Sequence, residues 1–150
     1  MEVREILTGQ RIALGLEVAS KKRLLQEMAK LLCAGGGLNC DDVFKVLTER
    51  ERLGSTGIGE GIALPHGRAK VDAPLAAAAT LKNPLPYDAV DAGPVVMAFA
   101  LLIPQQAAES HLQILASLAR MFSDADLRKR LMAAPAADDF YAVLCGESRG

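Results

Sequence analysis

The chain contains only two histidines, His66 and His111, and their side chains are the ones best suited to chemistry. A neutral imidazole has a lone pair near pH 7, so it can act as a nucleophile without a separate base. His66 stands in Leu64-Pro65-His66-Gly67, where an apolar run ends in proline. Because proline cannot continue a central ladder, we expect the strand to end at Pro65 and to present His66 at its carboxyl end. An ordinary histidine at a loop end is the alternative.

A glycine-rich stretch, residues 54–61, comes shortly before this histidine. Flexible glycines such as Gly57 allow consecutive backbone N–H groups to converge on an anion, and the hydroxyls of Ser55 and Thr56 add donors. Gly67, which follows the histidine, carries no side chain that would block approach to the ring. These four residues are therefore candidate phosphate-binding residues. The stretch matches neither a Walker A loop nor the dinucleotide fingerprint, and a tight loop between a helix and a strand is the alternative interpretation.

Arg50 and His111 could supply further groups to an anion held at the glycine-rich stretch. Arg50 lies at the end of a helical segment, amid Glu49, Glu51 and Arg52, and its planar guanidinium could clamp a phosphoryl group with two hydrogen bonds. A solvated charge run is the other interpretation of this segment. His111 opens an amphipathic helix, where it is either a second donor to the anion or a helix-cap residue at the edge of the sheet.

The residues before and after the glycine-rich stretch resemble a known signature. Arg50-Glu51, followed by the run Gly-Ser-Thr-Gly-Ile-Gly-Glu-Gly-Ile-Ala-Leu-Pro-His-Gly over residues 54–67, resembles the active-site signature of the mannitol/fructose-type enzyme IIA family of the bacterial phosphotransferase system. The resemblance extends over nearly the whole chain. Residues 20–23 and 111–113 are most similar to the nitrogen-regulatory branch of that family.

The resemblance implies a function and three catalytic residues. In that family the histidine of the Pro-His-Gly motif accepts a phosphoryl group from a small histidine phosphocarrier protein of the HPr type, so the acceptor here would be His66. His111 would be the second histidine of the site, and Arg50 would be the arginine at the mouth of the loop. The chain would then be a phosphotransferase in the sense of a histidine phosphoryl carrier. Phosphoryl transfer requires alignment and charge stabilisation more than covalent assistance, and these residue types suit that task.

The resemblance also implies partners. The phosphoryl group would pass to a sugar-specific IIB domain, or the phosphorylation state would be a signal to a target such as a potassium transporter or a sensor kinase. The 150 residues include no IIB segment and no membrane IIC segment, which favours the nitrogen-regulatory role over fructose- or mannitol-type sugar uptake. A hydrolase that uses Ser55 or Ser110 with a histidine is a further alternative, but it lacks a nucleophile-elbow pattern.

These residues need a scaffold, and the hydrophobic pattern of the first third predicts its helices. Residues 11–18 alternate imperfectly, as in a strand, and Ser20 is the N-cap of a helix that the glycines at 35–37 stop. A second helix is expected to start near Asp41 or Asp42 and to end before Gly54.

The rest of the chain predicts a sheet followed by helices. Strands are expected at residues 62–64, 75–81 and 95–103, with Asn83 and Pro84 among the turn residues between them. Three helices follow, the second capped by Asp124 and the third separated from it by Pro135. This order predicts one layered α/β domain over residues 1–150. The resemblance implies that its central sheet is mixed and flanked by helices on both faces.

The composition argues against several classes of function. A formal net charge of -1, with acids and bases mixed along the chain, gives no basic stripe for nucleic acid. The longest apolar run, residues 95–103, is about half the length that a transmembrane helix needs, so membrane insertion is not expected. No secretory signal is evident, and three cysteines without a CxxC pair are typical of free thiols in a reducing cytoplasm. Neither a metal nor a cofactor is expected.

Overall fold

The computed structural model describes residues 2–106 and 109–147, apart from the side chains of residues 110–112 and 147. Within these residues, five helices pack against a six-stranded mixed sheet. The strands are β1 (Ile12–Leu16), β2 (Gly57–Gly59), β3 (Ile62–Ala63), β4 (His66–Ala69), β5 (Leu75–Leu85) and β6 (Val95–Pro104). The helices are α1 (Lys21–Leu32), α2 (Cys40–Arg52), α3 (Glu109–Phe122), α4 (Ala125–Met132) and α5 (Ala137–Glu147).

The sheet is organised around β6. Strand β5 pairs with it in antiparallel orientation on one side, and β1 is added outside β5 in parallel. On its other side, β3 and β4 pair with successive parts of β6, both in parallel, and β2 pairs antiparallel with β3. Parallel and antiparallel pairs therefore occur in one sheet, which confirms the mixed sheet that the family resemblance implies.

The alternating residues of β6 explain why helices cover both faces. Met97, Phe99, Leu101 and Ile103 point to the face covered by α3, α4 and α5. The residues between them, Ala98, Ala100 and Leu102, point to the opposite face, which α1 and α2 cover. All seven are buried. Successive side chains of a strand lie on opposite faces, so a continuous apolar run of this kind is typical of a strand buried between two layers. The predicted flanking of the sheet by helices is thus confirmed.

Helix starts in the structure agree with the sequence pattern at two caps and differ slightly at a third. The Ser20 hydroxyl accepts a hydrogen bond from the Arg23 amide at 3.1 Å, and Asp124 caps α4 through the amides of Asp126 and Leu127. Helix α2 starts before Asp41, because the Asn39 side chain accepts from the Asp42 amide at 3.1 Å and provides the cap.

The expected break in the strand before His66 is present, but the prediction that His66 lies beyond the carboxyl end of a strand is wrong. Strand β3 ends at Ala63, and the chain rejoins β6 at His66, which is the first residue of β4. Pro65 has no N–H to donate, but its carbonyl accepts a hydrogen bond from the Leu101 amide at 2.9 Å. Proline therefore interrupts the strand only briefly, at a position where the missing donor costs little.

The expected turn at Asn83 and Pro84 is also wrong, since both residues lie within β5. The pairing of β5 with β6 shifts register between Thr80 and Leu85. Such an irregularity tolerates a proline because the local ladder is already broken.

Only part of the glycine-rich stretch is a loop, although its composition suggests a loop throughout. Gly57–Gly59 forms β2 and pairs with β3, so the second half of the stretch is a hairpin. Glu60 and Gly61 make its turn, both with positive φ, 57° and 80°. Positive φ at a non-glycine residue is uncommon, and here a two-residue hairpin turn requires it.

Gly67 determines how closely α2 approaches the sheet. A Cβ atom added to Gly67 would overlap Cγ1 of Val46 on α2 and lie 3.4 Å from the Val46 carbonyl oxygen. Helix α2 therefore packs directly on the backbone of β4. This contact brings the end of α2 next to the start of β4.

We expect Gly67→Ala to destabilise the protein by about 1–3 kcal/mol, the usual cost of overpacking a well-packed site. Urea unfolding followed by circular dichroism measures the change. Gly9→Ala is the matched control, because its added Cβ would meet its nearest atom, Oδ1 of Asp138, at 3.9 Å. Equal free energies of unfolding in the two variants would contradict the close packing of α2 on β4.

Candidate functional site

The ring of His66 is held by a carbonyl two residues before it in the chain. Its Nδ1 atom lies 2.8 Å from the carbonyl oxygen of Leu64. A carbonyl oxygen only accepts hydrogen bonds, so Nδ1 must carry the proton. In the neutral ring the lone pair is then on Nε2. The local backbone thus selects one tautomer and makes Nε2 the nucleophilic atom.

The surroundings of His66 favour its neutral form. Burial of the ring is the largest effect and lowers its pKa below the ordinary 6.5. The hydrogen bond to Leu64 and the charge of Glu51 act in the opposite direction, while the positive charge of Arg50 lowers the pKa further. The net shift is downward, so the ring is uncharged at pH 7 and its lone pair is available.

His66 lines an open hollow of about 410 Å³ between the end of α2, strand β4 and helix α3. The hollow has a charged part and an apolar part. Charged side chains come from Glu49, Arg50 and Arg68, and apolar ones from Val46, Leu53, Ile103 and Leu115. Two arginines that line the same hollow as a neutral imidazole form an arrangement that suits an oxyanion such as a phosphoryl group.

Arg50 lies where the sequence pattern predicts it, at the end of α2 and beside the histidine. Its Nη1 donates to the carbonyl oxygen of Gly54 at 2.8 Å, which anchors the guanidinium at the end of the helix. Arg52 lines a different hollow, with Lys21 and Lys22. Of the two neighbouring arginines, Arg50 is therefore the one that shares a hollow with His66.

Arg68 is a site residue that the sequence pattern did not reveal. It is exposed on β4, and its Nη1 donates to the carbonyl oxygen of Gln105 at 3.0 Å. Arg68 follows His66 by two residues, and residues two apart on a strand share a face. The sequence pattern predicts no strand at residues 66–69, so this spacing alone does not place Arg68 beside His66.

Three candidate phosphate-binding residues have other partners in the structure. The Ser55 hydroxyl donates to the Tyr87 carbonyl oxygen at 2.9 Å and accepts from the Gly57 amide at 3.1 Å. Thr56 is buried, with its hydroxyl bound to the Glu51 carboxylate at 2.5 Å. At Gly57, an added Cβ would lie 2.7 Å from the Cβ of Ala89. None of the three lines the hollow that holds His66, whereas Gly67 does.

The predicted second histidine lies only partly within the described structure. Position 111 falls in the first turn of α3, but the side chain of His111 is outside the described residues. Leu115, one helical turn further along α3, lines the hollow with His66. Helix α3 therefore reaches the hollow one turn after position 111.

Two further features of the described residues, 2–106 and 109–147, bear on other functions. These residues contain no group of three or more histidine, cysteine, aspartate or glutamate side chains that could hold a metal ion. In the same part of the chain, every helix is too short or too polar to cross a membrane.

Comparison with known families gives a match over nearly the whole chain. Residues 5–146 match the family described as "Phosphoenolpyruvate-dependent sugar phosphotransferase system, EIIA 2". Among individual relatives, the chain is 38% identical to a nitrogen regulatory protein of Pseudomonas aeruginosa. That alignment covers 100% of this chain and 99% of the relative.

Solved structures show the same fold. The nitrogen regulatory protein IIA-Ntr from Neisseria meningitidis superposes with a TM-score of 0.87 at 42% identity, covering 93% of this chain and 97% of the other. Enzyme IIA mannitol from Escherichia coli, solved as a complex with phosphorylated IIB mannitol, superposes with a TM-score of 0.78 at 23% identity. The coverage there is 93% of this chain and 97% of the neighbour.

We expect Arg50→Met to raise the pKa of His66, because the guanidinium charge disfavours a second positive charge nearby. The measurement is a pH titration of the imidazole nitrogens by NMR. Arg52→Met is the matched control, since Arg52 lines a separate hollow, and it should leave the His66 pKa unchanged. Equal shifts in both variants, or none in Arg50→Met, would show that Arg50 does not act on the ring.

Proposed function

Because the chain belongs to the EIIA 2 family of the phosphoenolpyruvate-dependent sugar phosphotransferase system, we propose that it is a phosphoryl carrier that accepts a phosphoryl group on Nε2 of His66. The observation that carries this proposal is the hydrogen bond from Nδ1 to the Leu64 carbonyl. It leaves the lone pair on the other ring nitrogen of a histidine that lines an arginine-containing hollow. The chain would be a phosphotransferase in that restricted sense.

In the proposed reaction, the donor is a phosphohistidine of an HPr-type carrier protein. The lone pair of Nε2 attacks phosphorus, the new N–P bond forms, and the N–P bond in the donor breaks. The donor imidazole leaves with that electron pair, and Nδ1 of His66 keeps its proton throughout. Arg50 and Arg68 stabilise the charge on the transferring oxygens, which is the main contribution that phosphoryl transfer needs from a protein.

The other candidate site residues have graded roles in this proposal. Gly67 lies beside the acceptor and leaves the ring accessible, and His111 supplies a further donor from the first turn of α3. Ser55, Thr56 and Gly57 would contact the phosphoryl group only after the bonds that now engage Ser55 and Thr56 had opened. We therefore assign the direct contacts in the first place to Arg50 and Arg68.

We propose the nitrogen-regulatory role for this chain, with its phosphorylation state as the output. The support is its 38% identity to a protein named nitrogen regulatory protein, over 99% of that relative. Such a signal would be read by a target such as a sensor kinase or a potassium transporter in the cytoplasm. The alternative is a sugar-specific component that donates to a IIB domain, since the mannitol enzyme IIA of Escherichia coli forms a complex with phosphorylated IIB mannitol.

An apolar rim beside His66 supports docking of a protein partner on the site. Leu53 follows α2 and is 85% exposed, although it lines the same hollow as His66. Leu115, which is half-buried, adds to this apolar part. An exposed leucine next to the candidate acceptor is in a position to contact a partner that docks over His66.

We expect His66→Ala to abolish phosphoryl uptake while leaving the fold intact. The experiment incubates the protein with phosphoenolpyruvate and the general phosphotransfer proteins, enzyme I and HPr, followed by mass mapping of the modified residue. In the wild-type protein, ³¹P–¹⁵N NMR should place the phosphoryl group on Nε2. Full labelling of His66→Ala would refute the proposal, and so would modification of wild-type Nδ1.

We expect Leu53→Glu to slow uptake from the phosphocarrier by about tenfold or more, since a charge replaces an apolar contact at the docking surface. Val90→Glu is the matched control, because Val90 is 80% exposed but does not line the hollow. Single-turnover rates at subsaturating carrier give the comparison. If both variants react at the wild-type rate, the rim takes no part in docking.

A further inference from the structure

Glu51 is a buried carboxylate that the proposed reaction does not use directly. It belongs to the last turn of α2, and its side chain is 6% exposed. Burial alone would raise the pKa of Glu51, but hydrogen bonds from Thr56 and the ion pair with Lys21 outweigh it, and the net shift is downward. The group is therefore an anion, and an anion at this depth is stable only with several partners.

The partners of Glu51 come from three separate segments. Lys21, at the start of α1, places Nζ 3.0 Å from Oε1. The same ammonium lies 4.4 Å from the centre of the Tyr87 ring, and the Tyr87 hydroxyl donates to Oε2 at 3.3 Å. Thr56 donates to the carboxylate through both its amide, at 3.0 Å, and its hydroxyl, at 2.5 Å.

Thr56 connects this carboxylate to the ring of His66. The Thr56 carbonyl oxygen accepts a hydrogen bond from the Leu64 amide at 2.9 Å. The carbonyl of the same Leu64 residue then accepts from Nδ1 of His66 at 2.8 Å. The position of the Leu64 carbonyl, which selects the His66 tautomer, thus depends on Thr56. Glu51 in turn holds Thr56 by accepting a hydrogen bond from its amide.

Glu51 also fixes the group that anchors Arg50. By binding the Thr56 amide, it closes the short loop of residues 53–55 against the end of α2. Within that loop lies Gly54, whose carbonyl accepts from Nη1 of Arg50 at 2.8 Å. One buried carboxylate therefore holds, through backbone groups, the orientation of both the acceptor ring and the arginine beside it.

We propose that Glu51 is a positioning residue that fixes the Nδ1–H tautomer of His66 and the direction of the Arg50 guanidinium. The effect on phosphoryl transfer rests on the proposed function, whereas the effect on the tautomer does not. Removing the carboxylate should let the Leu64 carbonyl move and the ring populate both neutral tautomers, as histidine does in water. The fraction with a lone pair on Nε2 would then fall.

The test compares Glu51→Gln with Glu27→Gln, a control on α1 in which the half-buried Glu27 pairs with Arg23 and Lys30. Glutamine keeps the shape but presents an NH₂ group to donors that need an acceptor. The readout is the tautomer of His66 in the unphosphorylated protein, from its ring ¹⁵N shifts. We expect Glu51→Gln to show a mixture of tautomers and Glu27→Gln to show the wild-type Nδ1–H form. A wild-type tautomer in Glu51→Gln, with only a lower melting temperature, would overturn the proposal.

A second pair of variants applies if Glu51→Gln does not fold. Thr56→Val removes the hydroxyl that bonds Glu51 but retains the amide, and Thr56→Ser retains both donors. We expect Thr56→Val to shift the tautomer of His66 partly and Thr56→Ser to restore it. If Thr56→Ser shifts it as much as Thr56→Val does, packing rather than the bond to Glu51 is responsible, and the proposal fails.

A kinetic comparison separates this inference from the proposed function. Single-turnover uptake from the phosphocarrier should fall about tenfold in Glu51→Gln, the size expected when a hydrogen bond to a charged group is lost. If the wild-type protein accepts no phosphoryl group, the proposed function fails. The tautomer measurement on the unphosphorylated protein still tests the positioning role of Glu51. A mixed tautomer in Glu51→Gln with wild-type uptake would show that positioning by Glu51 does not serve transfer.

Discussion

The hydrogen bond between Nδ1 of His66 and the Leu64 carbonyl is the interaction on which the candidate site depends. It determines which nitrogen is nucleophilic, and it does so without a charged partner for the ring. In many sites a carboxylate orients a histidine and also raises its pKa. Here a backbone dipole orients the ring, while burial and Arg50 keep its pKa low. The ring is therefore both oriented and neutral, a combination that a carboxylate partner would work against.

The fold brings the end of α2 into direct contact with the start of β4. Gly67 allows α2 to pack on the backbone of β4, so Arg50 at the end of the helix lies beside His66 at the start of the strand. Glu51 then ties the loop that follows α2 to the buried end of the hairpin. The same short stretch of chain thus supplies the helix end, the buried carboxylate and the candidate acceptor, and the rest of the domain holds these parts in register.

The sequence predicted the architecture well because its hydrophobic pattern is strong. The apolar run of β6, the caps at Ser20 and Asp124, and the helices of the last third all carry clear local signals. Strand β4 carries none, since His66, Gly67 and Arg68 do not resemble a strand and gain their pairing only from β6. The sequence gives no signal for the roles proposed for Arg68 and Glu51 for the same reason. Both depend on contacts between distant segments, and a charge run in sequence does not distinguish a buried carboxylate from an exposed one.

The charged side chains around the hollow have a consequence for the proposed signalling role. Glu49, Arg50 and Arg68 together give this small surface one net positive charge while His66 is neutral. A phosphoryl group adds about 1.5 to 2 negative charges at pH 7. In the proposed phosphorylated form the sum of these charges would therefore be negative instead of positive. A partner with an acidic contact surface would be attracted to one form and repelled by the other, so electrostatics alone can make this surface a two-state signal.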